Sequence, residues 1–247
     1  MRRHEVWLDT WAIGHARVIA YGHWGPPLLW FPTDGGRAHD FEANGLLDGV
    51  AWLVDAGAVK IYCVDSYDAQ SWRRPDLPLE ERARAHEKFE DLVVNDVVPF
   101  IDRDCNGHLD VLVAGTGFGA FHAANFTLRR ADLFPRAICL SGVYDMKPIG
   151  WGHYGDAFYF TNPMDYVANM HGDHLDWLRS RVRILLVCGQ GSSEDDSAGG
   201  AFAGTMRFAE LLRAKGIPHE LDVWGSDVPY DWPVWRAQLA HHLPRFV

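Results

Sequence analysis

A glycine-rich turn between a predicted strand and a predicted helix constrains the fold of this chain more than any other segment. Residues 110–114 form a short apolar run typical of a buried strand, and residues 118–130 carry apolar side chains at helical spacing. Between them, residues 115–119 have the sequence Gly-Thr-Gly-Phe-Gly. In the G-x-S-x-G nucleophile elbow, a sharp strand-to-helix turn lifts the central side chain above a sheet, and the outer glycines allow close backbone approach. Gly117 stands where that serine would be, so the turn is predicted without its nucleophile.

Strand and helix patterns alternate along the whole chain. Eight strands are predicted, at residues 4–9, 16–22, 27–31, 59–64, 110–114, 136–140, 182–187 and 219–224. Six helices are predicted, at residues 41–56, 79–103, 118–130, 175–181, 200–214 and 233–243. The first two strands are joined by a short turn, as in an antiparallel hairpin, whereas helix-length segments separate the others, as in parallel crossovers. The sequence therefore predicts a three-layer α/β fold, with helices on both faces of a mostly parallel eight-stranded sheet.

The length of 247 residues fits a single domain spanning residues 1–247. Pro99 is expected to kink or end the second helix, because proline lacks the backbone N–H that continues it. Residues 144–174 are rich in Trp, Tyr, His and Gly and show no clear periodicity. They are expected to form a small cap over the carboxyl edge of the sheet, where α/β folds bind their ligands.

Charge and hydropathy argue against two classes of partner. The formal net charge is -10 and no basic cluster is present, which argues against binding to nucleic acid. No segment approaches the ~18 apolar residues of a spanning helix, and residues 1–9 lack the apolar core of a signal peptide. Three of the four cysteines lie in or just beyond apolar strand-like runs, a pattern typical of reduced thiols. We expect a cytoplasmic protein with no nucleic-acid or membrane partner, and association into a homo-oligomer stays open.

Several segments together resemble the esterase D-type branch of the α/β-hydrolase superfamily, and the likeness covers nearly the whole chain. They are residues 31–36, residues 62–66 with Ser71 and Trp72, and residues 115–125, 133–145 and 221–232. Each is weak alone, but as a set they are specific. The resemblance implies an α/β-hydrolase fold and an ancestry in carboxylic ester hydrolysis.

The resemblance also assigns the positions of a catalytic triad. Such enzymes place a serine at the elbow, an acid after the next-to-last strand and a histidine after the last strand. Here the serine position holds Gly117, the acid position holds Glu194 or Asp195, and the histidine position, before an Asp-Trp pair, holds Tyr230. A phenol with a pKa near ~10 is a poor general base at neutral pH. The triad is therefore predicted to be degenerate.

The oxyanion hole is the third altered feature. In this fold it is formed by the amide after the nucleophile, here that of Phe118, and by the loop after the third strand, here near Asp34 and Gly35. A carboxylate at residue 34 would oppose a developing oxyanion. Changes at the serine position, the histidine position and the oxyanion-hole loop together predict that ester hydrolysis has been lost.

The first hypothesis is a noncatalytic esterase-like protein that keeps a pocket for a small-molecule ligand at the former active site. The residues expected to line that pocket are His122, Trp72, Trp151, Asp227, Asp231 and Trp232. The alternative is an active carboxylic ester hydrolase with a noncanonical site. Its chemistry would fall to Asp34, His122, Glu194, Asp227 or Tyr230, and either Ser141 or Ser226 could be proposed as a replacement nucleophile.

A distant alternative is an NAD(P)-binding oxidoreductase, because residues 115–120 also match the dinucleotide fingerprint G-x-G-x-x-G/A. That motif requires an acid at the end of the following strand to hold the ribose. Residues 136–142 contain none, so no cofactor is expected. His171, Asp173 and His174 could in principle hold a metal ion, but this spacing is common by chance and no second ligand cluster supports it, so no metal is expected.

Overall fold

The computed structural model describes residues 2–196 and 200–247, without the side chains of residues 195 and 196. Its single sheet has eight strands: β1 Arg3–Thr10, β2 Gly14–Tyr21, β3 Pro27–Phe31, β4 Lys60–Val64, β5 Leu112–Thr116, β6 Arg136–Leu140, β7 Arg183–Cys188 and β8 His219–Val223. The spatial order is β1-β2-β4-β3-β5-β6-β7-β8. β2 is antiparallel to β1 and β4, and the other pairs are parallel. The predicted eight-stranded, mostly parallel sheet is confirmed.

Eleven helices are assigned in the described residues: α1 Asp40–Ala43, α2 Leu46–Asp55, α3 Leu79–Leu92, α4 Val98–Cys105, α5 Phe118–Arg129, α6 Asp156–Thr161, α7 Pro163–Asn169, α8 Asp173–Arg181, α9 Ser192–Asp196, α10 Ala201–Ala214 and α11 Trp232–His242. Buried side chains of α1, α2 and α11 form a core on one face of the sheet. Those of α3, α4, α5, α8 and α10 form a core on the other face. The central strands are covered on both faces, which explains their continuous apolar runs. No helix in the described part of the chain is long and apolar enough to cross a membrane.

Two predicted helices are interrupted. The helix predicted at 41–56 divides into α1 and α2 at Gly45, whose φ of 76° places it in the left-handed region. The helix predicted at 79–103 changes to a π-helical turn, Val93–Val97, between α3 and α4. Pro99 lies in the first turn of α4, where its missing N–H costs least. The long helix predicted here is therefore interrupted just before Pro99, by a change from α-helical to π-helical hydrogen bonding.

A third, smaller core lies at the elbow end of α5. Trp72, fully buried, packs with its ring centroid 5.7 Å from that of Phe121 and 6.2 Å from that of Phe158. Phe118, the residue after Gly117, belongs to the same cluster. Trp72 was expected to line a ligand pocket, but it is a core residue, because its ring joins the elbow helix to α6.

One carboxylate holds the predicted cap segment against the body of the protein. Within residues 144–174 lie a 3-10 turn, Lys147–Ile149, and the helices α6 and α7. Glu80 of α3 is buried and accepts hydrogen bonds from the backbone N–H groups of Gly155 (3.0 Å), Ala157 (3.3 Å) and Phe158 (3.0 Å). Burial opposes ionisation, but these bonds and Arg84 outweigh it and leave the pKa of Glu80 below its usual range. Glu80 therefore ties the first turn of α6 to α3.

We expect Glu80→Gln to lower the free energy of unfolding at neutral pH by about 1–3 kcal/mol, because one amide oxygen cannot satisfy three buried N–H donors. Because the folded-state pKa of Glu80 is lowered, its contribution is present above the unfolded-state pKa and is lost as the pH falls through the folded-state pKa. Urea unfolding at several pH values measures both effects. Glu81→Gln, at the exposed neighbouring position, is the matched control. Equal losses in the two variants would refute the role given to Glu80.

Candidate functional site

The turn between β5 and α5 has the geometry of a nucleophile elbow. Gly117 has φ 55° and ψ -116°, and its N–H donates to the carbonyl oxygen of Leu140 at 2.9 Å. The flanking glycines are needed for close approach. A Cβ atom on Gly119 would lie 2.6 Å from the carbonyl oxygen of Pro32, and one on Gly115 would lie 2.7 Å from that of Phe31. The motif therefore folds as its sequence predicts, with no side chain at its apex.

The phenol of Tyr230 occupies the space that a side chain on residue 117 would need. A Cβ atom built on Gly117 would collide with the Tyr230 hydroxyl and would lie 2.7 Å from Oγ1 of Thr33. The hydroxyls of Thr33 and Tyr230 therefore both lie against Gly117. The Tyr230 ring stands edge-on to Trp235, with 4.7 Å between ring centroids, and its backbone N–H donates to Oγ of Ser193 at 2.9 Å. The contacts with Trp235 and Ser193 therefore hold Tyr230 over Gly117.

The Tyr230 hydroxyl is protonated at neutral pH. Partial burial raises its pKa to about 12; the Glu194 and Asp34 carboxylates act in the same direction, whereas the hydrogen bond with Thr33 opposes the shift. A group that holds its own proton so strongly cannot take one from an alcohol. Tyr230, which the family resemblance places at the histidine position, is therefore unsuited to act as a general base.

Glu194, one of the two residues predicted at the acid position, is buried in α9. Its Oε1 accepts hydrogen bonds from Oγ of Ser141 at 2.8 Å and from the N–H of Gly189 at 3.0 Å. The indole N–H of Trp235 donates to the same Ser141 hydroxyl at 3.1 Å. This network places Glu194 beside Tyr230 and occupies the hydroxyl of Ser141, which is itself fully buried. The side chain of Asp195, the other candidate acid, lies outside the described residues.

The predicted oxyanion-hole loop is held by a carboxylate that sequence analysis did not identify. The N–H of Gly35 donates to Oδ2 of Asp68 at 3.3 Å. Asp34 forms an ion pair with Arg73, with 3.2 Å between Oδ1 and Nε. Partial burial raises the pKa of Asp34, Arg73 opposes the shift, and the nearby Asp68 adds to it. The Gly35 amide, expected to stabilise an oxyanion, already donates to the side chain of Asp68.

The comparisons with known proteins identify the family. The family model described as "Putative esterase" matches residues 42–246. The chain belongs to this esterase family. A solved structure named ferulic acid esterase has a TM-score of 0.76 at 16% identity, with 99% of this chain and 96% of that chain covered. MPT51 of Mycobacterium tuberculosis has a TM-score of 0.75 at 12% identity, with 99% and 97% covered.

An S-formylglutathione hydrolase from Staphylococcus aureus has a TM-score of 0.65 at 15% identity, with 99% of this chain and 96% of that chain covered. At these identities the solved structures establish the α/β-hydrolase-type fold. No curated protein matches the sequence.

His122, which was expected to line a pocket of the esterase fold, lies in the core beneath the elbow. Its Nε2 lies 2.9 Å from Oδ1 of Asp68, and both side chains are almost completely buried. The His86 ring stacks on it, with centroids 5.0 Å apart and 23° between planes. Burial lowers the pKa of His86 well below its usual value. His122 therefore forms a structural pair with Asp68 and faces no open site.

The remaining predicted pocket residues have separate roles. Trp151 is 57% exposed, and its indole N–H donates to the carbonyl oxygen of Pro75 at 3.1 Å. The Asp231 carboxylate caps α11 by accepting from the N–H of Val234 at 3.2 Å. Trp232 packs edge-on against Trp235, and Asp227 is exposed. The structure brings Gly117, Tyr230, Glu194 and the Asp34 loop together. It gives no shared pocket role to Trp151, Asp227, Asp231 and Trp232.

Three cavities of this esterase-family structure lie away from the elbow. One of 610 Å³ lies at the amino edge of the parallel strands and includes Trp24 and Arg136. Two others, of 410 and 290 Å³, lie on either side of Arg129. Within residues 2–196 and 200–247, no group of three or more His, Cys, Asp or Glu side chains is placed to hold a metal ion.

Proposed function

We propose that this member of the esterase family is a noncatalytic protein that keeps the elbow of a serine hydrolase without its chemistry. The position of the Tyr230 hydroxyl carries this proposal, since it fills the space of the nucleophile side chain at Gly117. Two further observations support it. The Tyr230 phenol keeps its proton at neutral pH and so is not available as a general base. The Gly35 amide already donates a hydrogen bond to Asp68. Nucleophile, base and oxyanion donor are thus all affected.

We propose a binding role for the protein and place it in the cytoplasm. A small-molecule ligand at the former active site would have to displace the Tyr230 phenol from Gly117 or bind outside it, because the two cannot share that space. Cys63, Cys105 and Cys139 are unbridged thiols, which supports a reducing compartment.

The protein is expected to hydrolyse short-chain aryl esters no faster than buffer does and to resist labelling by a fluorophosphonate probe. The reason is that no described serine combines an exposed hydroxyl with a partner base at the elbow. Mass spectrometry after probe treatment and steady-state hydrolysis assays measure both outcomes. Tyr230→Phe is the matched variant, since a noncanonical hydrolase that used the phenol would lose its turnover in this variant. Stoichiometric labelling of any serine, or turnover that Tyr230→Phe abolishes, would contradict the proposed function.

A further inference from the structure

A second concave site lies at the far end of the elbow helix. The 410 Å³ cavity lies among the carboxyl end of α5, α6, α7 and the start of α8, and we call it the aromatic pocket. It includes Arg129, Tyr159, Phe160, Tyr166, His171 and His174. Its volume lies in the range of small-molecule sites. Twelve residues of helix at about 1.5 Å each place Arg129 roughly 18 Å along α5 from Gly117. The aromatic pocket is therefore distinct from the former active site.

The walls of the aromatic pocket offer flat apolar surfaces. Tyr166 is buried, and its hydroxyl donates to Oδ1 of Asn125 at 2.7 Å, so its polar atom is already satisfied. Tyr159 is half-buried, and Phe160 is 55% exposed. A concave site lined mainly by apolar and aromatic side chains is the usual form of a small-molecule pocket. These three rings favour a ligand with an aromatic ring of its own.

The polar side of the aromatic pocket carries basic side chains and, among the described residues, no carboxylate. Arg129, His171 and His174 line it, and no described Asp or Glu side chain does. The ion-pair partner of Arg129 is Glu90, which lines the separate 290 Å³ cavity on the other side of the arginine. A guanidinium donates several hydrogen bonds in a planar fork, so Arg129 can pair with a carboxylate from the pocket side. The pocket is therefore complementary to an anion.

Glu90 forms a close ion pair with Arg129 on the side away from the aromatic pocket. Burial raises the pKa of Glu90 to about 7; Arg129 and His122 of α5 oppose this shift, and Glu87 and Asp91 of its own helix add to it. His86, also of α3, faces Glu90 at 3.7 Å. Glu90 engages Nη1 of Arg129, and the guanidinium has further N–H donors that can bind a second acceptor on the pocket side.

We propose that the aromatic pocket binds a small aromatic monocarboxylate, with its ring among Tyr159, Phe160 and Tyr166 and its carboxylate on Arg129. An aromatic ring alone would gain from the walls but make no use of the positive charge of Arg129. A simple anion would match the charge but leave the apolar walls exposed to water. The combination uses both features, and it does not depend on whether the elbow is catalytic.

Benzoate is the probe, and benzamide is its neutral counterpart. We expect the full-length protein to bind benzoate with a dissociation constant on the order of 1 mM or lower, and benzamide at least about tenfold more weakly.

Arg129→Gln should weaken benzoate binding by about tenfold or more, whereas Glu90→Gln should strengthen it by about threefold, because Arg129 loses its competing partner. Arg130→Gln is the matched control, since Arg130 pairs with Asp132 and does not line the aromatic pocket. Isothermal titration calorimetry measures all four proteins.

Two further measurements keep the proposal falsifiable if Arg129→Gln does not fold. Phe160→Ala removes an exposed ring and should weaken benzoate binding several-fold without loss of structure. In two-dimensional NMR, benzoate should shift the amide signals of Asn169, Met170 and His171 most strongly. Equal binding of benzoate and benzamide, unchanged binding in Arg129→Gln, or shifts confined to other parts of the chain would each overturn the proposal.

Discussion

Gly117→Ala is expected to lower the free energy of unfolding by about 2–6 kcal/mol. Two effects combine. A non-glycine residue at φ 55° and ψ -116° is strained, at a cost of about 1–3 kcal/mol. The new methyl group would also collide with the Tyr230 hydroxyl and crowd Oγ1 of Thr33, and such overpacking costs about 1–3 kcal/mol. Urea unfolding gives the total change.

A double-mutant cycle with Tyr230→Phe separates the two effects. Removing the hydroxyl leaves Cζ of residue 230 as the nearest ring atom, 3.5 Å from the new Cβ, which is an ordinary contact. The double variant should therefore recover about 1–2 kcal/mol relative to the sum of the single variants. Gly119→Ala is the control, because its methyl group would meet the carbonyl oxygens of Phe31 and Pro32, which Tyr230→Phe does not move. Additive losses for Gly117→Ala and Tyr230→Phe would mean that the phenol does not occupy the apex of the elbow.

The sequence was sufficient for the sheet and the elbow because both depend on local patterns. The apolar runs of β3 to β7 follow from burial on both faces, and the Gly-Thr-Gly-Phe-Gly turn follows from backbone contacts that only glycine permits. The family resemblance placed Tyr230 at the histidine position. It could not show that the hydroxyl reaches Gly117, since that depends on how the loop after β8 packs against Thr33 and Trp235.

The pairing of Asp68 with His122 was missed for a different reason. Almost every residue of α5 is buried, so its sequence has no polar face that would set His122 apart from its neighbours. Asp68 lies in an irregular segment after β4, and no periodicity predicts its direction. Its place beyond the carboxyl end of a central strand was the one available signal, because such ends meet at the site edge of the sheet. Trp72 was misassigned similarly, since a tryptophan suits a core as well as a pocket.

The substitutions at residues 117 and 230 are physically linked. A serine at the elbow cannot coexist with a tyrosine hydroxyl in the observed position, because its Cβ would collide with that hydroxyl. A phenol over Gly117 lies beside the Thr33 hydroxyl and makes edge-on contact with Trp235. In the function that we propose, the apex of the elbow is therefore a repacked core position, stabilised by the Tyr230 phenol that covers Gly117.

Rebuilding the triad is expected to produce ester hydrolysis only when both positions change. Gly117→Ser alone lacks a base and collides with the phenol, and Tyr230→His alone lacks a nucleophile. Because members of a triad act as a unit, the double variant should hydrolyse an activated ester at least about tenfold faster than either single variant. The matched control is Gly117→Ala with Tyr230→His, which supplies the same backbone change and the same base without a hydroxyl.

Adding Asp34→Ser should raise the rate of the rebuilt protein further, because it removes a carboxylate from the oxyanion-hole loop. The gain will be limited by Asp68, which keeps the Gly35 amide engaged, and a missing oxyanion donor costs about 10²–10³ in rate. Steady-state hydrolysis and mass spectrometry of an acyl group on residue 117 measure the result. If the triple variant folds but forms no acyl-enzyme, then either Tyr230 does not stand at the histidine position or the site has lost esterase geometry. If the alanine control is equally active, the hydrolysis does not pass through residue 117. Acylation of the rebuilt protein with serine at residue 117, but not of its alanine control, would show that the scaffold has kept its catalytic geometry. The side chains at 117 and 230 would then be what separates it from an active esterase.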